Sequence, residues 1–332
     1  MNHYFSNNCL YTDFTISNTN CGIAYKSAVC NHADQEPAYL LEEYDKEIEY
    51  FQTRTGKDRS FSTLKKHESV RKHLENYILK TTGQKDILFE DLSEDFISGF
   101  SRYIMEDCGL SRSTAWVYHI PIKHLAAVAL SRGLIKNNPF AMYHLAPNVK
   151  ERSFLTENEL RKMMDIHLKG RVLNLARDLF VLSCWTGLSF VDMKNLKKDS
   201  LVEHKEELWI VSRRKKTNKP FQIKVLEPAA AILKKYGKKY KGQLFFRIGC
   251  YNYLNVKLKE IAQMCGINKK LSFHCARHTF ATMAINNGMS IESVSQILGH
   301  SSIKTTQIYA RITISKLDND FTIFKDNIKA FF

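Results

Sequence analysis

A chain of 332 residues with 44% hydrophobic content is too long for one ordinary core and suits two domains plus extensions. No basic segment runs into a long apolar stretch at the N-terminus and no apolar run is long enough to span a bilayer, which argues against a signal peptide and against membrane insertion. The eight cysteines (Cys9, Cys21, Cys30, Cys108, Cys184, Cys250, Cys265 and Cys275) form no CxxC pair, which argues for reduced thiols in a cytosol rather than a disulfide frame.

The formal charge of +15 is unevenly placed. Residues 149–332 carry 33 Lys+Arg against 16 Asp+Glu, whereas residues 38–148 balance and residues 1–37 come to −2. A basic surface kept for solubility explains the total but not this segregation. A polyanionic partner for the C-terminal half explains both.

In chain order, residues 1–37 are rich in Asn, Ser, Thr and Cys without a helical or strand period, and read as a poorly ordered leader. From Tyr39 the pattern turns helical. LLEEYDKEIEYFQTRTG stops at Gly56, and Ser62 can cap a second helix that ends at Gly83. EDFISGFSRYIMEDCG ends at Gly109, and a fourth segment after Ser111 is expected to bend or break at Pro121. These four helices predict a small bundle over 38–145. Lys65, Lys66, Arg112, Thr114 and Lys123 on its polar faces suit phosphate contacts, the plainer alternative being solvated helix surface.

Residues 144–153 read as a linker into a unit expected over 150–320. Thr156 and Glu159 form a capping box, and RVLNLARDLFVLSCWTG predicts a long apolar helix ending at Gly187. ELWIVS and PFQIKVL, joined by RRKKTNK, predict a β-hairpin. Residues 228–266 look helical and strongly basic. The end of the chain, ISKLDNDFTIFKDNIKAFF, is amphipathic, with 321–332 set apart as a tail helix.

The stretch Leu271–Arg311 concentrates the chemistry. His274 and Arg277 lie three apart on one helical face, Gly299-His300 closes an apolar run, and Tyr309 follows in a polar segment. Arginine offers a planar fork that matches two phosphate oxygens, histidine a donor or proton shuttle, and tyrosine an oxygen nucleophile. Together they point to phosphoryl transfer. An HxxR pair alone is compatible with a surface pair. His274 and His278 have metal spacing, but Cys275 lies off that face and no carboxylate stands between the histidines, so no metal is expected. In the hairpin, an amine at Lys216 could protonate a leaving oxygen. Strand alternation separates it mildly from its neighbour Lys215.

The ordered set H-x-x-R, G-H and a tyrosine nine residues on, with an upstream basic hairpin reading K-T, resembles the tyrosine recombinase (phage integrase) family over about 40–318. The resemblance implies a mainly α chain: an N-terminal helical-bundle (SAM-like) core-binding domain, then a mostly helical catalytic domain with a small β-sheet. It implies that Lys216, His274, Arg277, His300 and Tyr309 take the family's catalytic positions. It also implies site-specific recombination through a 3′-phosphotyrosyl link without cofactor or metal. Double-stranded DNA is the partner implied, bound as a homotetramer with possible accessory bending proteins, in the bacterial cytoplasm beside the nucleoid. The short N-terminus lacks room for the family's usual arm-binding module, so 1–37 reads as a truncated remnant. The family's arginine after T-G is replaced here, since CWTGLS places Ser189 there. The wording TGLSFVDMKNL resembles integrases of Bacteroides-type mobile elements, which carry this serine. A surrogate cation is then required, with Arg177, Arg213 and Arg214 as candidates. The rival readings are a catalytically impaired DNA-binding relative and a type IB topoisomerase-like relaxing enzyme.

Overall fold

The computed structural model describes residues 37–148, 153–238, 242–309 and 314–329, which fall into two compact units, one on either side of residues 149–152. The leader expected over 1–37 lies outside the described residues apart from Pro37. The chain is mainly helical, with one small antiparallel sheet.

The first unit is built from α1 (Leu40–Arg54), α2 (Phe61–Thr82), α3 (Glu94–Arg102) and α4 (Arg112–Ser131). Hydroxyl caps start three of them: Ser60, Ser93 and Ser111 accept the backbone N–H of Thr63, Phe96 and Thr114. Ser60, not Ser62, caps α2, because the helix already begins at Phe61. Helix α1 has no cap of its own. The Asp86 carboxylate, 45 residues away, accepts the Leu41 N–H at 2.9 Å and so closes that end. Helix α3 runs into a wider turn at Tyr103–Asp107, where the Cys108 N–H reaches back to the Tyr103 carbonyl.

Helix α4 is continuous through Pro121, against the expected break. Pro121 removes one N–H donor, but it is buried on the same side as Ile122, Leu125 and Ala126, and this packing carries the helix past it. The unit's interior joins Leu40, Tyr44, Leu74, Ile78, Ile97, Phe100 and Ile122. Full burial of each such side chain contributes about 1.5–3 kcal/mol.

The second unit opens with α5 (Glu157–Asp165), started by the capping box between Thr156 and Glu159. Helix α6 (Arg171–Thr186) is its axis, packing against α8 (Glu227–Gly237), α9 (Tyr251–Met264) and α10 (Phe273–Asn286). Leu179, Phe180, Leu182 and Cys184 of α6 are wholly or almost wholly buried there. The basic stretch read as helical over 228–266 is thus two helices, with non-helical backbone described over 242–250.

Between α6 and α8 lie the short α7 (Phe190–Lys194) and an antiparallel sheet ordered β1 (Leu201–His204), β2 (Glu207–Arg213), β3 (Pro220–Lys224). β2 and β3 are the expected hairpin. β1 was not anticipated, because a four-residue edge strand carries too little alternation to stand out. In register, Ile210 faces Ile223 and both are buried, while Arg213 faces Pro220 at the turn. Helices α11 (Ile291–Leu298) and α12 (Lys304–Gln307) follow α10, and α13 (Ile314–Ile328) closes the described chain. That last helix starts upstream of the tail boundary at 321, taking in the exposed Leu317.

Candidate active site

Helix α6 ends at Gly187, whose φ of +64° is the left-handed conformation glycine tolerates best. A Cβ there would lie 2.7 Å from the Phe280 ring, so the tight packing of the α6 terminus on α10 also requires glycine. The carbonyl of Gly187 accepts a hydrogen bond from Arg277 Nη1 at 2.7 Å, and Arg277 Nη2 donates to the Leu298 carbonyl at the end of α11. Arg277 is thereby fixed between the ends of two helices. Burial pulls its pKa down to about 10, with the neighbouring Arg214 charge acting in the same direction.

Arg214 lies just past the end of β2 and is 5% exposed. Its Nη1 donates to Asp192 Oδ2 at 2.7 Å, its Nη2 donates to the Ile297 carbonyl, and its guanidinium lies 4.0 Å above the Phe221 ring. Burial lowers its pKa, and Asp192 opposes that shift. Gly299 ends α11 at φ +67°, and a Cβ there would stand 3.1 Å from Arg214 Nε. The Arg214 Nε–H is buried and has no hydrogen-bond acceptor among the described residues. The two guanidinium groups thus hold adjacent carbonyls of α11, Ile297 and Leu298.

Asp192 organises the other side. Burial raises its pKa, but the Lys215 backbone N–H at 2.9 Å and the Arg214 guanidinium outweigh burial and hold the carboxyl below its usual range. Ser189 caps α7, and its hydroxyl donates to Asp192 Oδ2 at 2.8 Å. Ser189 therefore supports the carboxylate that grips Arg214.

The imidazoles and the phenol gather beside this pair. His274, exposed on α10, lies with its ring 4.2 Å from that of buried His278. The His278 ring is 4.9 Å from Tyr309, and the His300 ring stacks on Tyr309 at 6.4 Å with 17° between planes. His300 Nδ1 is 2.8 Å from Thr306 Oγ1. Tyr309 is 7% exposed and packs with Phe280, Ile285, Val294 and Leu298, in contrast to the accessible setting that its polar flanks suggested. Ser301, Lys304 and Gln307 of that flank are exposed, while Thr306 and the tyrosine itself turn in.

Not every candidate joins this cluster. Arg177 binds Asp178 and the carbonyls of Met164 and Ile166, which ties α6 to the end of α5. Arg213 is exposed and donates to the Asn218 carbonyl across the hairpin turn. Lys215 and Lys216 are both exposed on that turn, after β2 has ended, so strand alternation cannot rank them. In the first unit Lys65 and Lys123 are exposed, and Lys66 is half-buried with its pKa lowered by that burial. Arg112 donates to the Ala146 carbonyl, and Thr114 Oγ1 is 2.9 Å from the Ser111 hydroxyl. Among the described residues no group of three His, Cys, Asp or Glu side chains gathers as metal ligands would.

Asp192 and Thr306 were missed from sequence. Asp192 could have been suspected from its place three residues after Ser189, the spacing at which a cap and a carboxylate meet. Thr306 carries no comparable signal.

Residues 153–315 match the Phage integrase family, and residues 41–145 match the Phage integrase SAM-like domain. The chain belongs to the tyrosine recombinase (phage integrase) family. It is 25% identical over 286 residues to the tyrosine recombinase XerD of Listeria monocytogenes, covering 80% of this chain and 93% of that one. It is 27% identical over 175 residues to a tyrosine recombinase of Pseudothermotoga lettingae, covering 50% of this chain and 59% of that relative. In fold it resembles the Tn1549 transposon integrase in complex with circular intermediate DNA, with TM-score 0.69 and 18% identity over 85% of this chain and 99% of that one. A lambda integrase dimer bound to a core site gives TM-score 0.65 and 17% identity over 84% and 81% of the two chains. No helix among the described residues is long and apolar enough to cross a membrane.

Proposed function

We propose that this recombinase binds duplex DNA and exchanges strands at specific sites through a 3′-phosphotyrosyl intermediate. The Tyr309 oxygen attacks the scissile phosphorus and its proton passes to water. The bond from phosphorus to the 5′ oxygen breaks, and Lys216 protonates that oxygen. Charge gathering on the non-bridging oxygens meets Arg277, His274 and His300. The phosphotyrosyl bond keeps the energy of the broken ester, so a second strand's 5′ hydroxyl can reverse the step without ATP.

Arg214 supplies the cation that Ser189 cannot. The observation that carries this reading is the pair of guanidinium groups, Arg214 buried and Arg277 partly buried, on neighbouring α11 carbonyls beside the Tyr309 cluster. A Ser189 side chain committed to Asp192 is support for the clamp rather than a sign of lost activity.

The domains follow the same reading: residues 38–145 bind DNA through faces carrying Lys65, Lys66, Arg112, Thr114 and Lys123, residues 150–320 catalyse, and the end of the chain links copies. Helix α13 exposes Leu317, Phe321 and Phe324 at helical spacing, which suits docking on a neighbouring copy in a tetramer on DNA. Because Tyr309 is buried, the segment carrying it shifts when DNA is bound. Accessory bending proteins and a site of action beside the chromosome belong to this reading as well.

The test is a nicked suicide duplex that loses a short fragment on cleavage. Wild-type protein is expected to leave a denaturation-resistant protein–DNA adduct, and Tyr309→Phe none. A wild-type protein that leaves no adduct would remove the enzyme reading in favour of a DNA-binding relative. On a two-site plasmid, recombinant circles are expected. Relaxation without exchange would favour a topoisomerase-like enzyme.

A further inference from the structure

Thr306 has two contacts that no role described so far requires. Its side chain is fully buried, and its Oγ1 lies 2.8 Å from His300 Nδ1. Its backbone carbonyl accepts the Tyr309 N–H at 3.0 Å. One residue of the short α12 thus joins the histidine assigned to the phosphate and the tyrosine assigned to attack it.

A neutral imidazole carries a proton on one nitrogen only, and the partner of the other nitrogen decides which. A threonine hydroxyl can accept from Nδ1–H or donate to bare Nδ1. Only the second arrangement leaves a proton on Nε2, the nitrogen that the reading above assigns to a phosphate oxygen. An ordinary imidazole is mostly neutral above about pH 6.5, so without a fixed tautomer the donor on Nε2 is lost part of the time.

Resting on the phosphotyrosyl reading above, we propose that Thr306 is a positioning residue whose hydroxyl donates to His300 Nδ1, holding the neutral imidazole as an Nε2–H donor to the scissile phosphate. The hydroxyl also fixes the ring's orientation, since Oγ1 sits on a helix tied by its own carbonyl to Tyr309. The charged and titratable groups packed around His300 and Tyr309 are Arg214 against Gly299, Arg277 at the end of α11, His278 against the Tyr309 ring and His274 beside it. All of them are unchanged in a Thr306 variant, so the ratio of variant to wild-type rates isolates the hydroxyl.

The experiment measures single-turnover cleavage of the suicide duplex by the full chain from pH 5.5 to 8.5. Wild type, Thr306→Val and Thr306→Ser are compared, with DNA binding and melting temperature recorded for each. Thr306→Val keeps the shape and loses the hydroxyl, and its cleavage is expected to fall roughly 10–100-fold at pH 8 with DNA affinity retained. Toward pH 5.5 the deficit is expected to shrink to a few-fold, because a protonated imidazole donates from both nitrogens whatever holds Nδ1. Thr306→Ser restores most of the lost rate. Nitrogen-15 imidazole spectra, with the His300 signals assigned through His300→Asn, are expected to show bare Nδ1 and protonated Nε2 in wild type at pH 8.

A deficit in Thr306→Val that is equal at every pH, a Thr306→Ser as slow as the valine variant, or a wild-type His300 protonated on Nδ1 would each overturn the assignment. The failure of the wider reading looks different. There, wild-type protein forms no adduct at any pH while the imidazole spectra still report the tautomer.

Discussion

Two buried aspartates in the catalytic unit each hold an arginine, and to opposite ends. Asp178 accepts from Arg177 Nε at 2.6 Å, Lys235 Nζ at 2.7 Å and the Tyr236 hydroxyl at 2.8 Å, and Arg177 places its remaining donors on the carbonyls of Met164 and Ile166 and on Asn174. Every group there has a partner inside the protein, and the cluster fastens α6 to α5 and α8. Asp192 accepts from Arg214, Ser189 and the Lys215 N–H, yet the Arg214 Nε–H finds no acceptor among the described residues. An arginine whose three nitrogens are all engaged by the protein holds a fold together. Arg214 is held as firmly but keeps one buried N–H without an acceptor among the described residues, and in the proposed reading it is the arginine that meets the scissile phosphate.

Swapping each arginine for alanine breaks the comparison most sharply. Arg214→Ala is expected to slow cleavage of the suicide duplex by roughly 10²–10³-fold per folded protein, the loss typical of one preorganised donor, and to lower the melting temperature as well, because Asp192 is left buried without its cation. Arg214→Lys recovers little, because an ammonium cannot hold Asp192, the Ile297 carbonyl and a phosphate at once. Arg177→Ala should cost stability alone. Chemical denaturation is expected to give a stability loss of about 2–3 kcal/mol, with cleavage by the folded fraction unchanged. Equal rate losses in the two variants would erase the distinction.

A third carboxylate sharpens the contrast because it is poorly served. Glu47 in α1 lies 3.7 Å from His124 Nε2, its Oε2 has no hydrogen-bond partner among the described residues, and burial raises its pKa to about 7. The folded state therefore holds the Glu47 proton more tightly than the unfolded chain does. Stability from this group is full below about pH 4, the unfolded carboxyl value, and is lost as pH rises through 7. Glu47→Gln should remove that loss and stabilise the protein by on the order of 1–2 kcal/mol at pH 8 after allowance for partial exposure. Denaturation at pH 5 and pH 8 checks it, and a variant that is less stable at pH 8 would show that the ionised carboxylate has a useful partner.

The residues that announce themselves in the sequence are those with a repeating or ordered signature. The helical periods, the capping box at Thr156 and the hairpin from Glu207 to Lys224 are written locally, since each depends on neighbours a few residues away. The cluster at His274, Arg277, His300 and Tyr309 was legible because four chemically suited side chains recur in order. Arg214 could be named only as one of three candidates. Choosing it takes the meeting of the hairpin turn with α7 and the end of α11, segments far apart in the chain. Asp192 and Thr306 were hidden for a related reason: an aspartate or a threonine is ordinary in any helix, and what marks these two is the partner that folding brings to them.

The central claim is that the Tyr309 oxygen becomes bonded to a DNA strand, and peptide mass spectrometry of the adduct tests it most directly. After nuclease trimming and trypsin digestion, the peptide Thr305–Arg311 is expected to carry the mass of a nucleotide 3′-phosphate on its tyrosine. A nucleotide found on any other peptide, with Thr305–Arg311 recovered unmodified, would contradict the account.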